Sequence, residues 1–374
     1  HPGGLSGAES LLYLNGRALQ GLDRNHRLVK LESNDLEAKN LEIAVKAFSG
    51  LGAEKQQFKR AALIFRDQNL AEFYRLAETV KESIETMAAG DNLRQQLLNI
   101  LNQALNLIDF RKTGSQKFLQ TAAEAEQYLK EKLAELKAKT NQPQITAVGH
   151  SHIDVAWLWR LLQTREKTAR TFSTVLKLMD EYPEYTFLQS SPQLYKFIKE
   201  DYPEIYAKIK EKIKEGKWEV TGGMWVEADC NLSSGESLVR QFLHGQRFVK
   251  EEFDLDWNIL WLPDVFGYSW ALPQLIKKSG MKYFMTTKIS WSQFNRPEYD
   301  TFSWRGIDGT EVLTHFITTP ELNNEEAFYT YNGLLNPESV KGSWDNYQQK
   351  EINDQLLLAY GWGDGGGGPT RRMI

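Results

Sequence analysis

The sequence predicts an α/β fold: a seven-stranded (β/α) barrel-like parallel domain over residues 141–374, preceded by an α-helical region over residues 1–140. Three observations predict it. Near residue 142 the apolar pattern switches from helical spacing to short alternating runs. Amphipathic stretches of helical length separate those runs, as parallel strands joined by crossover helices require. At 374 residues the chain is also longer than one ordinary compact unit, so two domains are expected.

In the first region proline is nearly absent. Leu93, Leu97, Ile100, Leu101, Ala104, Leu105 and Ile108 recur as one helical stripe, with Gly90 ending the preceding helix and Asp91 placed to cap the first turn. A second amphipathic helix is expected from about Ser115 to Lys139. An earlier one should cover roughly Ala53 to Ala88, with a break near Asp67 and Gln68. No cluster here suggests chemistry, so the region reads as structural or as a surface for self-association, which makes a homo-oligomer one candidate partner.

From Gln142 onward seven strands are expected: ITAVGH (145–150), YTFLQSS (185–191), KWEVTGG (217–223), WNILWLPD (257–264), KYFMTTK (282–288), EVLTHF (311–316) and QLLLAYGWGD (355–364). Their ends are polar or small, and parallel α/β folds build active sites at the carboxyl ends of their strands.

The apolar fraction of 41% and charged fraction of 25% are those of a soluble globular protein. A net charge of −4 gives no electrostatic reason to expect nucleic acid or an anionic membrane as partner. No run approaches the ~20 apolar residues of a bilayer span. HPGGLSGAES lacks the basic and apolar parts of a secretory signal and reads as a trimmed end. The single cysteine, Cys230, excludes an internal disulfide and suits a reducing compartment, so the cytoplasm is the expected location. Eleven tryptophans and fifteen tyrosines suit either carbohydrate platforms or a large core.

Four constellations stand out. In GHSHID, His152 and Asp154 are two residues apart after a strand, so an extended backbone points both the same way. A neutral imidazole and a carboxylate are good ligands for a zinc-type ion. His150 shares the alternation and would be a third ligand or an orienting group. In LPDVFG, Asp264 closes an apolar strand; it reads as a site carboxylate rather than a cap, because the next helix begins only near Ala271 or Pro273. In YGWGDGGGG, Asp364 is either a general acid or a partner for glycine amides; the run lacks the lysine and hydroxyl of a phosphate loop. In WVEADCNLSSGE, Ser233, Ser234 and Glu236 read as caps, while Glu227 and Asp229 would line the cleft.

At GHSHIDVAWLWR, VTGGMWVEADCNLSSGE, PDVFGYSWALPQLI and GWGDGGGGPT the chain resembles glycoside hydrolase family 38, the α-mannosidases, most of all its cytosolic and bacterial branch. The resemblance covers most of residues 140 to 374. It implies a retaining glycosidase acting on terminal α-mannose of oligosaccharides, with a zinc ion (Co2+ being another divalent candidate) on the sugar's vicinal hydroxyls. It makes His152 and Asp154 metal ligands and Asp264 both ligand and nucleophile. Trp157 and Phe266 match aromatics lining the sugar pocket, Lys288 a cation near the nucleophile, and Asp364 the acid/base segment. The family's zinc site has a further histidine beyond the stretch represented here, followed by β-rich domains. A truncated catalytic domain with little activity alone is therefore the expectation, and His315 is read as strand-interior rather than a substitute. Two other readings compete: a metal-dependent carbohydrate deacetylase, which uses strand-end Asp and His ligands but no carboxylate nucleophile, and a non-catalytic carbohydrate-binding domain, which leaves the strand-end carboxylates unexplained.

Overall fold

The computed structural model describes residues 9–32, 35, 40–48, 61–137, 143–292, 294–322 and 328–374. The chain separates into two compact units, one of residues 57–144 and 336–342, the other of residues 1–56, 145–335 and 343–374.

The first unit is built on three helices, α1 (Gln68–Glu85), α2 (Asn92–Leu107) and α3 (Gln116–Lys137). Asp67 caps α1 by accepting from the Leu70 amide, and Asp91 caps α2 through the Leu93 amide, as its position predicts. The break expected near Asp67 is thus the start of α1. Residues 61–67 are irregular, and the part of the predicted helix before residue 61 lies outside the described residues. Leu97, Ala104 and Ile108 of the predicted stripe join Phe73, Val80, Ile84, Phe118, Ala125 and Leu129 in one apolar core. Leu105 alone turns outward, at 39% exposure.

The helical expectation fails in residues 9–22 and 43–48. There β1 (Glu9–Leu14), β2 (Arg17–Leu22) and β3 (Ile43–Phe48) form an antiparallel sheet in the order β2-β1-β3. The cause was present in the sequence. Asn15 and Gly16 take positive φ of 50° and 78°, the geometry a two-residue hairpin needs, and they close the Leu14–Arg17 pair. The helices α1 to α3 therefore lie within 68–137, and strands occupy 9–22 and 43–48 of the stretch expected to be helical.

The second unit contains all seven predicted strands: β4 (Gln144–His150), β5 (Phe187–Gln189), β6 (Trp218–Val220), β7 (Ile259–Trp261), β8 (Tyr283–Thr286), β10 (Glu311–Phe316) and β11 (Gln355–Tyr360). An unpredicted strand, β9 (Thr301–Arg305), precedes β10. Among the described residues they do not pair into one seven-stranded barrel-like sheet. Two four-stranded sheets result, β11-β4-β5-β6 and β7-β8-β10-β9. The β4–β5, β5–β6, β7–β8 and β8–β10 pairs are parallel, as expected. Two features keep closure from being reached. β9 pairs antiparallel on the edge of β10, and β6 stops at Val220, leaving only an isolated parallel bridge between Gly222 and Leu260 to link the sheets. Even so, Val148, Leu188, Trp261, Met285, Ile317 and Ala359, drawn from six strand segments, share one buried cluster. The strands thus converge, and their carboxyl ends lie together.

The crossover helices are α4 (Leu161–Glu181), α5 (Pro192–Asp201), α6 (Pro203–Lys214), α7 (Gly235–Phe253), α8 (Leu272–Lys278) and α9 (Pro337–Asn346). Ser234 caps α7 by accepting from the Ser237 amide, as read from SSGE. β2 lies close on α4 because Gly21 has no side chain: a Cβ there would stand 2.8 Å from the Arg170 carbonyl oxygen, and the Gly21 amide donates to Thr174 Oγ1 at 3.0 Å. No described helix is long and apolar enough to cross a membrane.

Candidate active site

The carboxyl ends of the strands supply the side chains. After β4 the chain leaves the sheet through an irregular stretch to residue 160, carrying His152 and Asp154. His152 is at the centre. Its Nε2 lies 3.3 Å from Asp154 Oδ1 and 3.3 Å from Asp264 Oδ2, and its Nδ1 faces Glu227 Oε1 at 3.1 Å. Asp264 arrives from the turn after β7 and caps no helix, since α8 starts eight residues on at Leu272. Its other oxygen pairs with Lys288 Nζ at 3.0 Å. Lys288 opens a short 3-10 turn after β8 and lies over Trp291 at 3.5 Å from the ring centre, with Phe266 at 5.1 Å and Tyr331 at 5.5 Å. Asp364 follows β11, and the Tyr331 hydroxyl reaches its Oδ1 at 3.4 Å.

These surroundings divide the carboxylates. Burial alone would raise Asp264, but the His152 and Lys288 charges more than reverse it and bring its pKa down to about 2. Burial pushes Asp364 up to about 6, with the Asp264 and Asp154 charges adding to the rise and His152 and Lys288 opposing it. Burial also opposes charge on His152, yet Glu227, Asp154 and Asp264 outweigh it and hold that ring well above the ordinary histidine value. One carboxyl is thus kept as an anion while its neighbour is kept protonated in mildly acidic solution.

The residues also suit a divalent cation. Nε2 of His152 faces two carboxylate oxygens and Nδ1 a third; a ring cannot donate one Nε2 proton well to both Asp154 and Asp264, whereas a cation among them satisfies a nitrogen lone pair and both oxygens. Glu227, held by Ser190 Oγ at 3.0 Å, stands 3.1 Å from Nδ1, on the side of the ring away from Asp154 and Asp264. Among the described residues, ligand atoms of His152, Asp154 and Asp364 all lie within 4.8 Å of one another. That grouping takes Asp364 where the sequence reading takes Asp264.

His150 does not join this group. Its Nδ1 donates to the Leu188 carbonyl at 3.0 Å and burial lowers its pKa to about 3, so the ring is neutral and packs edge-on to Trp261. His315 lies inside β10 with Nδ1 2.8 Å from Thr301 Oγ1. Trp157 and Phe266 are exposed by 44% and 70%, Trp157 packing edge-on to Trp159. Both rings are open to solvent, as platforms for a polar ligand should be. The aromatic surplus divides between roles, since Trp218, Tyr185, Tyr195 and Tyr347 are fully buried. Reasoning from sequence missed Tyr331, Trp291 and Ser190. Only Ser190 carried a signal, as the first polar residue after β5.

Strand-end carboxylates of divergent acidity beside an imidazole form a hydrolase-type site, and comparison with known proteins agrees. Residues 142–374 match the glycosyl hydrolases family 38 N-terminal domain. The chain belongs to glycosyl hydrolase family 38. It is 35% identical to α-mannosidase G of Dictyostelium discoideum over 99% of its own length and 34% of that protein's. It is likewise 35% identical to α-mannosidase 2C1 of Homo sapiens over 99% of its length and 36% of the relative's. Against the α-mannosidase of Saccharomyces cerevisiae it is 42% identical over 62% of its length and 20% of the relative's. The chain thus spans about a third of the first two relatives. The crystal structure of an α-mannosidase from Enterococcus faecalis V583 shares the fold, with a TM-score of 0.50 at 18% identity over 62% of this chain and 26% of that one.

Proposed function

We propose that this chain carries the catalytic carboxylates of a retaining α-mannosidase that removes terminal α-mannose from oligosaccharides. The opposed acidities of Asp264 and Asp364 carry this reading. Asp264 Oδ attacks the anomeric carbon as the glycosidic C–O bond breaks, and the Asp364 proton passes to the leaving oxygen. Asp364, now ionised, takes a proton from water, whose oxygen attacks the same carbon and releases Asp264. Lys288 holds Asp264 ionised between turnovers, and Tyr331 orients Asp364 by donating to it. Trp157 and Phe266 offer faces for the sugar.

His152, Asp154 and Asp264 would hold a divalent cation, zinc or cobalt by ligand type. Such an ion supplies a fixed positive charge for vicinal sugar hydroxyls, which mannose presents on one side of the ring. The 4.8 Å grouping favours a second reading, in which Asp364 is the third ligand.

Metal content and hydrolysis of an α-linked mannobiose in the intact protein separate the two. The first reading expects Asp264→Asn to lose both metal and activity, and Asp364→Asn to keep metal while losing activity. Loss of metal from Asp364→Asn with retention in Asp264→Asn would overturn it. A deacetylase would release acetate from an N-acetylated sugar and leave the mannoside intact.

A further inference from the structure

Asp364 lies in left-handed backbone, at φ 50°, at the head of a loop whose Gly365, Gly367 and Gly368 also take positive φ. A residue with a side chain stays in that region only where its surroundings over-determine it. Part of the restraint is internal: Trp362 and Gly368 exchange backbone hydrogen bonds of 3.0 and 2.9 Å. The rest comes from the other end of the chain. Asn25 Nδ2 donates to the Gly366 carbonyl at 3.2 Å, and His26 Nε2 donates to the Pro369 carbonyl at 2.9 Å. Asp23 sets both residues. Its Oδ1 accepts the Asn25 and His26 amides at 2.7 and 2.9 Å, and both its oxygens stand 3.0 Å from His26 Nδ1. The fit is close, since a Cβ on Gly367 would stand 2.6 Å from Asp23 Oδ2 and 2.8 Å from the His26 ring. On the loop's other side Lys167 packs against Gly365, held by Glu9 of β1 at 2.6 Å. Asp23, Asn25, His26 and Glu9 all belong to the hairpin region, which contributes nothing to the carboxylate cluster itself.

We propose that Asn25 and His26, oriented by Asp23, are positioning residues that hold the glycine-rich loop so that Asp364 can deliver its proton. This rests on Asp364 being the acid. The test compares kcat/KM, which reports the first step and not the later release by water, for 2,4-dinitrophenyl α-mannoside, whose leaving group departs without a proton, and for an α-linked mannobiose, whose leaving oxygen needs one. Asp364→Asn in the intact protein sets the reference. His26→Ala and Asn25→Ala should each lose roughly 10- to 100-fold on the disaccharide and little on the dinitrophenyl substrate, the size of effect a misplaced catalytic group gives. His26→Gln, which keeps an N–H for the Pro369 carbonyl, should recover most of that loss. Asn25→Ala removes a single hydrogen bond and carries the test if His26→Ala does not fold. Equal losses on both substrates, or none, while Asp364→Asn separates them, would overturn the clamp alone. Failure of Asp364→Asn to separate them overturns the acid assignment and the clamp with it.

Discussion

The two units spend burial differently. In the helical unit the core is Phe73, Val80, Leu97, Ala104, Leu129 and their like, and its charges are almost all at the surface. The other unit buries ionisable groups in number: Glu9, Lys167, Arg170, His150 and His152 are all at most 5% exposed. An apolar core is a gain in proportion to the area removed from water, whereas each buried charge costs free energy unless partnered. The second unit partners them, with Lys167 and Arg170 both on Glu9, and His152 among three carboxylates. One region is held by apolar burial. The other gives up part of that stability to fix charge where chemistry can use it.

That contrast predicts that substitutions in the site change rate more than stability, and that the reverse holds in the helices. The largest effect is expected from Asp264→Asn, which should lower kcat on an aryl α-mannoside by on the order of 10⁴ while the thermal midpoint stays close to that of the parent protein. A drop in midpoint large enough to explain the lost rate would break the contrast. Lys288→Met should cost about 10- to 100-fold in kcat/KM by leaving a buried carboxylate oxygen without its cation. Because Lys288 helps depress Asp264, its loss should also move the acidic limb of the pH profile upward from about 2.

The parent profile follows from the two carboxyls. Asp264 must be ionised, which holds above about 2, and Asp364 must carry its proton, which holds below about 6. Activity should therefore fall as pH rises through about 6, and Asp364→Asn should abolish that limb. A limb unmoved in that variant assigns the proton to another group. The smallest effect on rate belongs to Leu129→Ala, a fully buried helical side chain. It should destabilise the helical unit by roughly 2–5 kcal/mol and leave kcat unchanged, read by denaturant unfolding beside a kinetic assay.

Much of the candidate site's grouping was legible because it is local. His152 and Asp154 lie two apart on extended chain, and Asp264 ends an apolar strand, so pattern alone points to them. The seven strands were legible through their alternation. What escaped depends on distant residues. Nothing near Tyr331 or Trp291 announces that Lys288 will sit against their rings, since those contacts are made by the fold. Closure of the sheet also escaped, because it depends on a few hydrogen bonds beyond Val220 that periodicity does not encode. The hairpin at Asn15 and Gly16 is different: its signal was strong and local, and the helical stripe further along drew attention from it.

In the proposed mechanism Asp264, and not Asp364 or a bound water, attacks the sugar. Incubation of the intact protein with a 5-fluoro-mannosyl fluoride, followed by digestion and mass spectrometry, tests it directly. A fluoromannosyl adduct is expected on the peptide containing Asp264, formed once per chain and absent from Asp264→Asn. An adduct on Asp364, or turnover with none formed on either carboxylate, would contradict it.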